Sequence, residues 1–206
     1  MKTKISILLF IIFGIFIMYS CEEERTVYTL DQEIKDYTYF PVNSYWIYMD
    51  SVSEDLDTCR ITGSEIKKYA SEEDSYDYEY FSEFVYSTYK KANFLLIGTS
   101  EFYPKYQTCV LNKYGYGPMF FSNKFKGFSY NNLYYVEELD SLAVGQRWYK
   151  NIKVFKYMKN PVDTADYEKY YFVRRIGLIR KDINKDQVRW DLIDFYLNNI
   201  SPVYFY

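Results

Sequence analysis

The sequence predicts a mainly β protein, built on an antiparallel, strongly curved sheet or half-open barrel with one or two short helices. Three observations predict this class. Aromatic residues form 22% of the 206 residues, with 27 tyrosines and 16 phenylalanines, and aromatic side chains favour strands. Apolar and polar residues alternate with a period of two. Turn-forming residues separate these segments, and strong curvature would protect the edges of such a sheet.

The elements can be placed in order along the chain. A short helix is predicted at 31–36 and a second at 133–139. Lys90 to Asn93 would turn one strand back on the next, and Asn184, Lys185 and Asp186 form a tight turn between the last two strands. The predicted strands are 44–52, 57–68, 76–89, 94–99, 108–113, 119–122, 148–158, 170–175, 177–183 and 187–196.

The segment 76–89 carries the clearest alternation. Five aromatic residues share one parity, and three acidic residues share the other. This period of two predicts a strand whose aromatic face is covered and whose acidic face lies in water. The aromatic set is Tyr76, Tyr78, Tyr80, Phe84 and Tyr86, and the acidic set is Asp77, Glu79 and Glu83.

The N-terminus has the features of a secretory signal. Lys2 and Lys4 precede an apolar stretch at 5–18. About 14 residues would span roughly 21 Å as a helix, short of the ~30 Å hydrocarbon core. A cleaved signal at 1–20 therefore fits better than a permanent transmembrane helix. Its removal takes away two lysines and changes the net charge from −3 to −5 (23 basic and 28 acidic residues), which argues against nucleic acid as a partner.

The end of this segment, Met18-Tyr19-Ser20-Cys21, resembles the lipobox of bacterial lipoproteins. The resemblance implies cleavage before Cys21 and acylation of its thiol, with palmitate among the acyl chains. The three glutamates at 22–24 resemble a surface-export signal of Bacteroidota-type lipoproteins. The implied location is the bacterial outer membrane, on its periplasmic or cell-surface face, with 21–36 as a lipidated acidic tether and 37–206 as one β-rich domain. An ordinary cleaved signal with an incidental Cys21 is the alternative.

Two further stretches resemble a group of uncharacterised Bacteroidota-type lipoproteins. The first is Tyr39-Phe40-Pro41-Val42-Asn43-Ser44-Tyr45-Trp46-Ile47-Tyr48, and the second is the Gly177-Leu178-Ile179 hairpin that precedes the Trp190 strand. The resemblance implies a β-rich, membrane-tethered domain and brings no activity with it.

Two cysteines remain if Cys21 is acylated. Cys59 and Cys109 would form a disulfide in an oxidising compartment, and closing a loop of about 50 residues would contribute roughly 4 kcal/mol. Two buried thiols are the equal alternative.

The residue types limit the chemistry. The chain has no histidine, which removes the commonest neutral-pH base and metal ligand. No cofactor and no metal is expected, because the acidic loops lack the spacing of a calcium site. A carboxylate-based glycoside hydrolase needs only two acids. The candidates are Glu65, Glu79, Glu83, Glu101, Glu137 and Asp140.

The aromatic surplus is the feature that best fits a function. Rings held on a rigid scaffold can stack on sugars or anchor a protein partner at low entropy cost. The rings placed in or beside glycine- and asparagine-rich turns are Tyr114, Tyr116, Tyr130, Tyr134 and Tyr135. The leading hypothesis is therefore a non-enzymatic, membrane-anchored binding or scaffolding domain for a glycan or an envelope protein. The alternatives are the hydrolase and a carrier of apolar molecules, with a cavity lined by Phe84, Leu95, Ile97 and Phe155.

Overall fold

The fold is one large sheet with a short helix packed against it. The computed structural model describes residues 25–29, 32–70, 76–89, 92–100, 107–113, 116–121, 129–130, 133–158 and 162–198. Within these ranges the elements are β1 (Thr26–Tyr28), α1 (Gln32–Thr38), β2 (Tyr45–Asp50), β3 (Leu56–Ala70), β4 (Tyr76–Ser87), β5 (Ala92–Ser100), β6 (Gln107–Lys113), β7 (Tyr116–Phe121), β8 (Ser129–Tyr130), β9 (Leu133–Val144), β10 (Arg147–Met158), β11 (Tyr167–Val173), β12 (Gly177–Ile183) and β13 (Val188–Tyr196). The predicted mainly β, antiparallel class is confirmed.

Two meanders make up the sheet. Strands β2 to β7 each pair with the next strand in sequence, and so do β8 to β13. The meanders join where β13 pairs with β2, with Phe195 opposite Trp46 and Tyr196 opposite Tyr45. The order runs from β7 at one end to β8 at the other, so the sheet is open. Strand β1 instead pairs in parallel with the start of β4.

Helix α1 shows how strongly the sheet curves. Glu33 lies 3.1 Å from Lys153 on β10, and Lys35 lies 3.4 Å from Glu79 on β4. Six strand-to-strand steps separate β4 from β10, which is about 29 Å along a sheet. Two positions on a helix differ by only about 3 Å in height. Both contacts can form together only because the sheet curls around α1.

The prediction that β4 covers its aromatic face and exposes its acidic face is wrong. Asp77 and Glu83 are buried, whereas Phe84 is 47% exposed. The period of two is present, but it cannot say which face is covered. The N-terminal segment covers the acidic face and supplies its partners, since Arg25 lies 3.1 Å from Asp77 and the backbone N–H of Phe40 donates to Glu83 at 2.5 Å.

The predicted boundary between tether and domain at residue 37 is also wrong. Strand β1 and most of α1 fall within 21–36, and both belong to the fold. Asp36 fixes α1 to the β11–β12 turn through Arg174 at 2.6 Å and Arg175 at 3.7 Å. Strand β1 and helix α1 therefore belong to the same domain as the strands that follow them.

The second predicted helix, at 133–139, is instead part of strand β9. Leu133 pairs with Tyr130 on β8 and with Tyr157 on β10, and Leu139 pairs with Ile152. This segment forms a strand because it can hydrogen-bond to a strand on each side, and strand preference depends on tertiary context. The first helix is confirmed at Gln32–Thr38.

The two stretches that carry the family resemblance meet in the core. Phe40 packs edge-on against Trp46, with ring centroids 4.9 Å apart. The Trp46 indole N–H donates to the carbonyl of Ile176 at 2.6 Å, and the Tyr48 hydroxyl donates to that of Leu178 at 2.9 Å. A Cβ at Gly177 would lie 3.1 Å from the Phe40 ring. These residues hold the seam between the meanders together, so their role is structural.

Candidate functional site: an outer aromatic face

The site residues predicted from the sequence divide into two groups. Cys21 and Tyr114 lie outside the described residues. The other four tyrosines lie in strands at the two opposite ends of the sheet order, Tyr116 in β7 and Tyr130, Tyr134 and Tyr135 in β8 and β9. Strand pairing therefore does not bring the five together into one site.

The register argues against the predicted Cys59–Cys109 disulfide. Cys59 on β3 and Cys109 on β6 are three strands apart, about 14 Å. Cys59 pairs with Ser87, which pairs with Ala92 on β5, whereas Cys109 pairs with Gly98. The six positions from 92 to 98 add about 20 Å along the strand. A disulfide needs Cα atoms within about 7 Å. The buried Cys59 thiol instead lies 3.6 Å from Asp57 Oδ2.

A different set of aromatic side chains shares the sheet face opposite α1. In β4, Phe84 and Tyr86 alternate with the buried Val85 and Ser87 and so point away from the core. Cross-strand pairing extends this face over four strands. The register places Tyr196 opposite Tyr45, Tyr45 opposite Arg60, and Arg60 opposite Tyr86. We call the set Tyr45, Arg60, Phe84, Tyr86 and Tyr196 the outer aromatic face.

Its side chains pack against one another. Tyr45 and Tyr196 stack with centroids 5.8 Å apart and an interplanar angle of 29°. The Arg60 guanidinium lies over the Tyr45 ring, 5.9 Å from its centroid. A Cβ at Gly63 would lie 3.4 Å from Phe84, so that ring rests on the neighbouring strand. The row from Tyr196 to Tyr86 covers three strand spacings, about 14 Å, comparable to a short oligosaccharide.

The rings remain accessible to solvent. Tyr196 is 49% exposed and Phe84 47% exposed, while Tyr45 and Tyr86 are half-buried and Arg60 is exposed. Partial burial holds each ring in place, and the exposed part is available to a partner. Tyr196 was not predicted because its proximity to Tyr45 depends on the pairing of β2 with β13, which are separated by most of the chain. Tyr45 and Arg60 face each other across the neighbouring strands β2 and β3, whose register the alternation alone does not give. One signal was present in the sequence: Tyr45 and Ile47 are two residues apart in β2, which places their side chains on the same face of the sheet.

The structure describes two of the four side chains predicted to line a carrier cavity, Phe84 and Phe155. Phe84 cannot line an interior cavity, because it is exposed on the outer face. Phe155 is buried and packs edge-on against Phe172 at 5.9 Å. Leu95 and Ile97 lie in β5, and their side chains are outside the described part of the structure. Of these four residues, Phe84 is therefore not part of a cavity lining, and the carrier hypothesis stays a prediction.

Among the predicted carboxylates, Glu79 and Glu83 are too far apart to be the pair of a glycoside hydrolase, and the hydrolase hypothesis stays a prediction. Glu79 and Glu83 share one face of β4 but are four residues apart, about 13 Å, beyond the range of 5–9.5 Å such enzymes use. Burial raises the pKa of Glu83 to about 8, although the hydrogen bond from Phe40 lowers it. Glu65 lies on β3 opposite Ser82 and forms an ion pair with Lys67 at 2.6 Å. Glu101 lies outside the described residues.

Comparisons with known proteins give no further constraint. The chain matches no family model, no curated protein and no solved structure. Within the described ranges, no group of three or more acidic or cysteine side chains is placed to hold a metal ion. None of the helical residues described in the structure forms a segment long and apolar enough to span a bilayer.

Proposed function

We propose that this protein is a lipid-anchored binding domain of the bacterial outer membrane, without catalytic activity, which engages a glycan through the outer aromatic face. The observation that carries the proposal is the cross-strand row Tyr196, Tyr45, Arg60 and Tyr86 on an accessible sheet face. The anchor rests on the lipobox-like residues before Cys21.

The geometry of the rings favours binding over a purely structural role. Aromatic side chains add large contact area, and those already fixed by their neighbours lose little conformational entropy when a ligand binds. The Tyr45–Tyr196 stack is such a pre-organised pair. Sugar rings present flat faces of C–H groups, which match flat aromatic surfaces. The face is also built on paired strands, which hold a site more rigidly than loops do.

The attachment point fits this role. Three residues separate Cys21 from Arg25, where the described fold begins, and the four extended Cα–Cα steps between them span at most about 14 Å. An acylated Cys21 would thus hold the domain close to the membrane surface. A glycan on the envelope would then lie within reach of the outer aromatic face.

Glycan arrays probed with the full chain in detergent micelles, followed by calorimetric titration, test the proposal. Tyr196→Ala should weaken glycan binding roughly 5- to 10-fold, because a lost aromatic contact is worth about 1 kcal/mol or more. Trp148→Ala is the matched control, since Trp148 is 64% exposed but lies at the start of β10.

Two outcomes would contradict the proposal. If Tyr116→Ala weakens binding and Tyr196→Ala does not, the site lies in β7 and not on the outer aromatic face. If no glycan binds wild-type protein, the glycan claim fails, and envelope proteins recovered in a pull-down would become the partner to test.

A further inference from the structure

Arg60 differs from every other arginine of the chain in its electrostatic partners. The other six arginines each lie 2.6–3.7 Å from an aspartate, in the pairs Arg25–Asp77, Arg147–Asp194, Arg174–Asp36, Arg175–Asp36, Arg180–Asp191 and Arg189–Asp191. Among the described residues, no carboxylate is within ion-pair distance of Arg60. Its recorded partner is the Tyr45 ring.

The position of Arg60 gives this charge a role. Its cross-strand neighbours are Tyr45 and Tyr86, so Arg60 occupies the middle of the row, with its guanidinium over the Tyr45 ring. A guanidinium presents a planar fork of N–H donors that matches a carboxylate in a bidentate pair. A ligand that satisfies both features has flat sugar rings for the tyrosines and a carboxylate for Arg60.

We infer that the outer aromatic face selects acidic polysaccharides, in which a uronic acid carboxylate pairs with Arg60 while adjacent sugar rings pack against the exposed parts of Tyr45 and Tyr196. This inference rests on the proposed function. The chain as a whole carries a net charge of −3, which disfavours anions at a distance. Selection is therefore local and comes from contact with Arg60 within the screening length of about 8–10 Å.

Comparing each acidic oligosaccharide with its methyl ester isolates the contribution of the carboxylate to binding. The probes are oligomers of galacturonate, glucuronate and mannuronate, each compared with its fully methyl-esterified form, which keeps the rings and removes the charge. Calorimetric titration of the full chain in micelles should give at least one acid that binds about tenfold tighter than its ester. That preference should shrink as the salt concentration rises from 50 to 500 mM.

Substitutions of Arg60 test whether this residue causes the preference for the acid over its ester. Arg60→Gln should bind the acid only as tightly as wild-type protein binds the ester, and Arg60→Lys should keep part of the preference. Arg147→Gln is the matched control, because Arg147 is an exposed arginine already paired with Asp194 at 3.4 Å, and it should leave the preference unchanged. Circular dichroism checks that each variant is folded.

The failure of this inference is distinct from the failure of the proposed function. If each acid binds no better than its ester, or if Arg60→Gln keeps the full preference, the inference is overturned. The proposed function would still stand if Tyr196→Ala weakened binding of both forms. If wild-type protein binds neither form of any oligomer, acidic polysaccharides are excluded as the ligand.

Discussion

At the residue scale, Glu83 is a buried acid whose environment opposes ionisation. Its side chain is fully buried, and burial raises its pKa from 4.5 to about 8. The folded state thus keeps a proton that the unfolded state has lost between pH 4.5 and 8, and stability falls as the pH rises through that window. Above pH 8 the loss is complete and amounts to a few kcal/mol, at about 1.4 kcal/mol per unit of pKa.

Glu83→Gln should remove this pH dependence. The amide keeps an acceptor for the Phe40 N–H and does not titrate. Urea unfolding at pH 5 should give free energies of unfolding within about 1 kcal/mol of wild type, whereas at pH 9 the variant should be the more stable by a few kcal/mol. Glu137→Gln, at an exposed position, is the control. Parallel curves of stability against pH for wild type and Glu83→Gln would show that Glu83 is ionised in the folded protein.

Gly177 illustrates a residue fixed by both backbone and packing. Its φ is 88°, and a Cβ there would lie 3.1 Å from the Phe40 ring. Gly177→Ala should therefore destabilise the protein by about 2–4 kcal/mol, from the left-handed backbone and the overpacking together. Gly145→Ala is the matched control, since φ is 58° but the nearest atom is 3.8 Å away, and it should cost only about 1–2 kcal/mol.

The same pair of variants separates the two causes. In a Gly177→Ala, Phe40→Leu double variant, leucine replaces the Phe40 ring. The double variant should recover part of the stability lost in Gly177→Ala, because it relieves the contact with the ring but not the backbone strain. Equal destabilisation by Gly177→Ala and Gly145→Ala in chemical unfolding would contradict the packing argument.

At the scale of elements, the carboxylate of Asp36 fixes helix α1 to the β11–β12 turn. Asp36 accepts hydrogen bonds from Gln32 and from Arg174, each at 2.8 Å. Burial alone would raise the pKa of Asp36, but the bonds from Gln32 and Arg174 outweigh it and lower the pKa. Its contribution is therefore present above the ordinary pKa of 3.8 and is lost as the pH falls through the folded value.

Asp36→Asn should cost about 1–3 kcal/mol at pH 7, because two arginines and one glutamine lose a charged acceptor. The difference from wild type should shrink below pH 3, which thermal or urea unfolding can measure. Asp194→Asn, which removes an exposed pair with Arg147, should change stability by less than about 0.5 kcal/mol. A loss for Asp36→Asn that stays constant down to pH 2 would contradict the role of its charge.

How much of the fold the sequence predicts is clearest in the strands. The period of two located β4 and its hairpin to β5, but the turn predicted at Lys90 to Asn93 was placed too late, because Ala92 and Asn93 already belong to β5 and pair with β4. The same pattern could not identify the covered face, because that depends on where Arg25 and Lys35 dock. Local alternation also cannot pair β2 with β13, so the outer aromatic face was not predictable.

At the scale of the whole molecule, the N-terminal segment would link the proposed lipid anchor at Cys21 to the sheet. Because β1 and α1 are part of the fold, only a short connection remains between Cys21 and the domain. We expect radiolabelled palmitate to incorporate into wild-type protein, and Cys21→Ala protein to be released from envelopes by a mild salt wash, since two or more acyl chains are needed for a stable anchor. Equal retention of Cys21→Ala by envelopes would contradict lipid anchoring.

The most direct test of the account is hydroxyl-radical footprinting of the anchored protein, with and without an envelope glycan extract. The account predicts that the extract protects Tyr45, Tyr86 and Tyr196 from oxidation and leaves Trp148 unchanged, because only the outer aromatic face would be covered. Protection confined to Trp148, or to Tyr116 and Tyr130, with the outer aromatic face still oxidised at its original rate, would contradict the claim that this face is the binding surface.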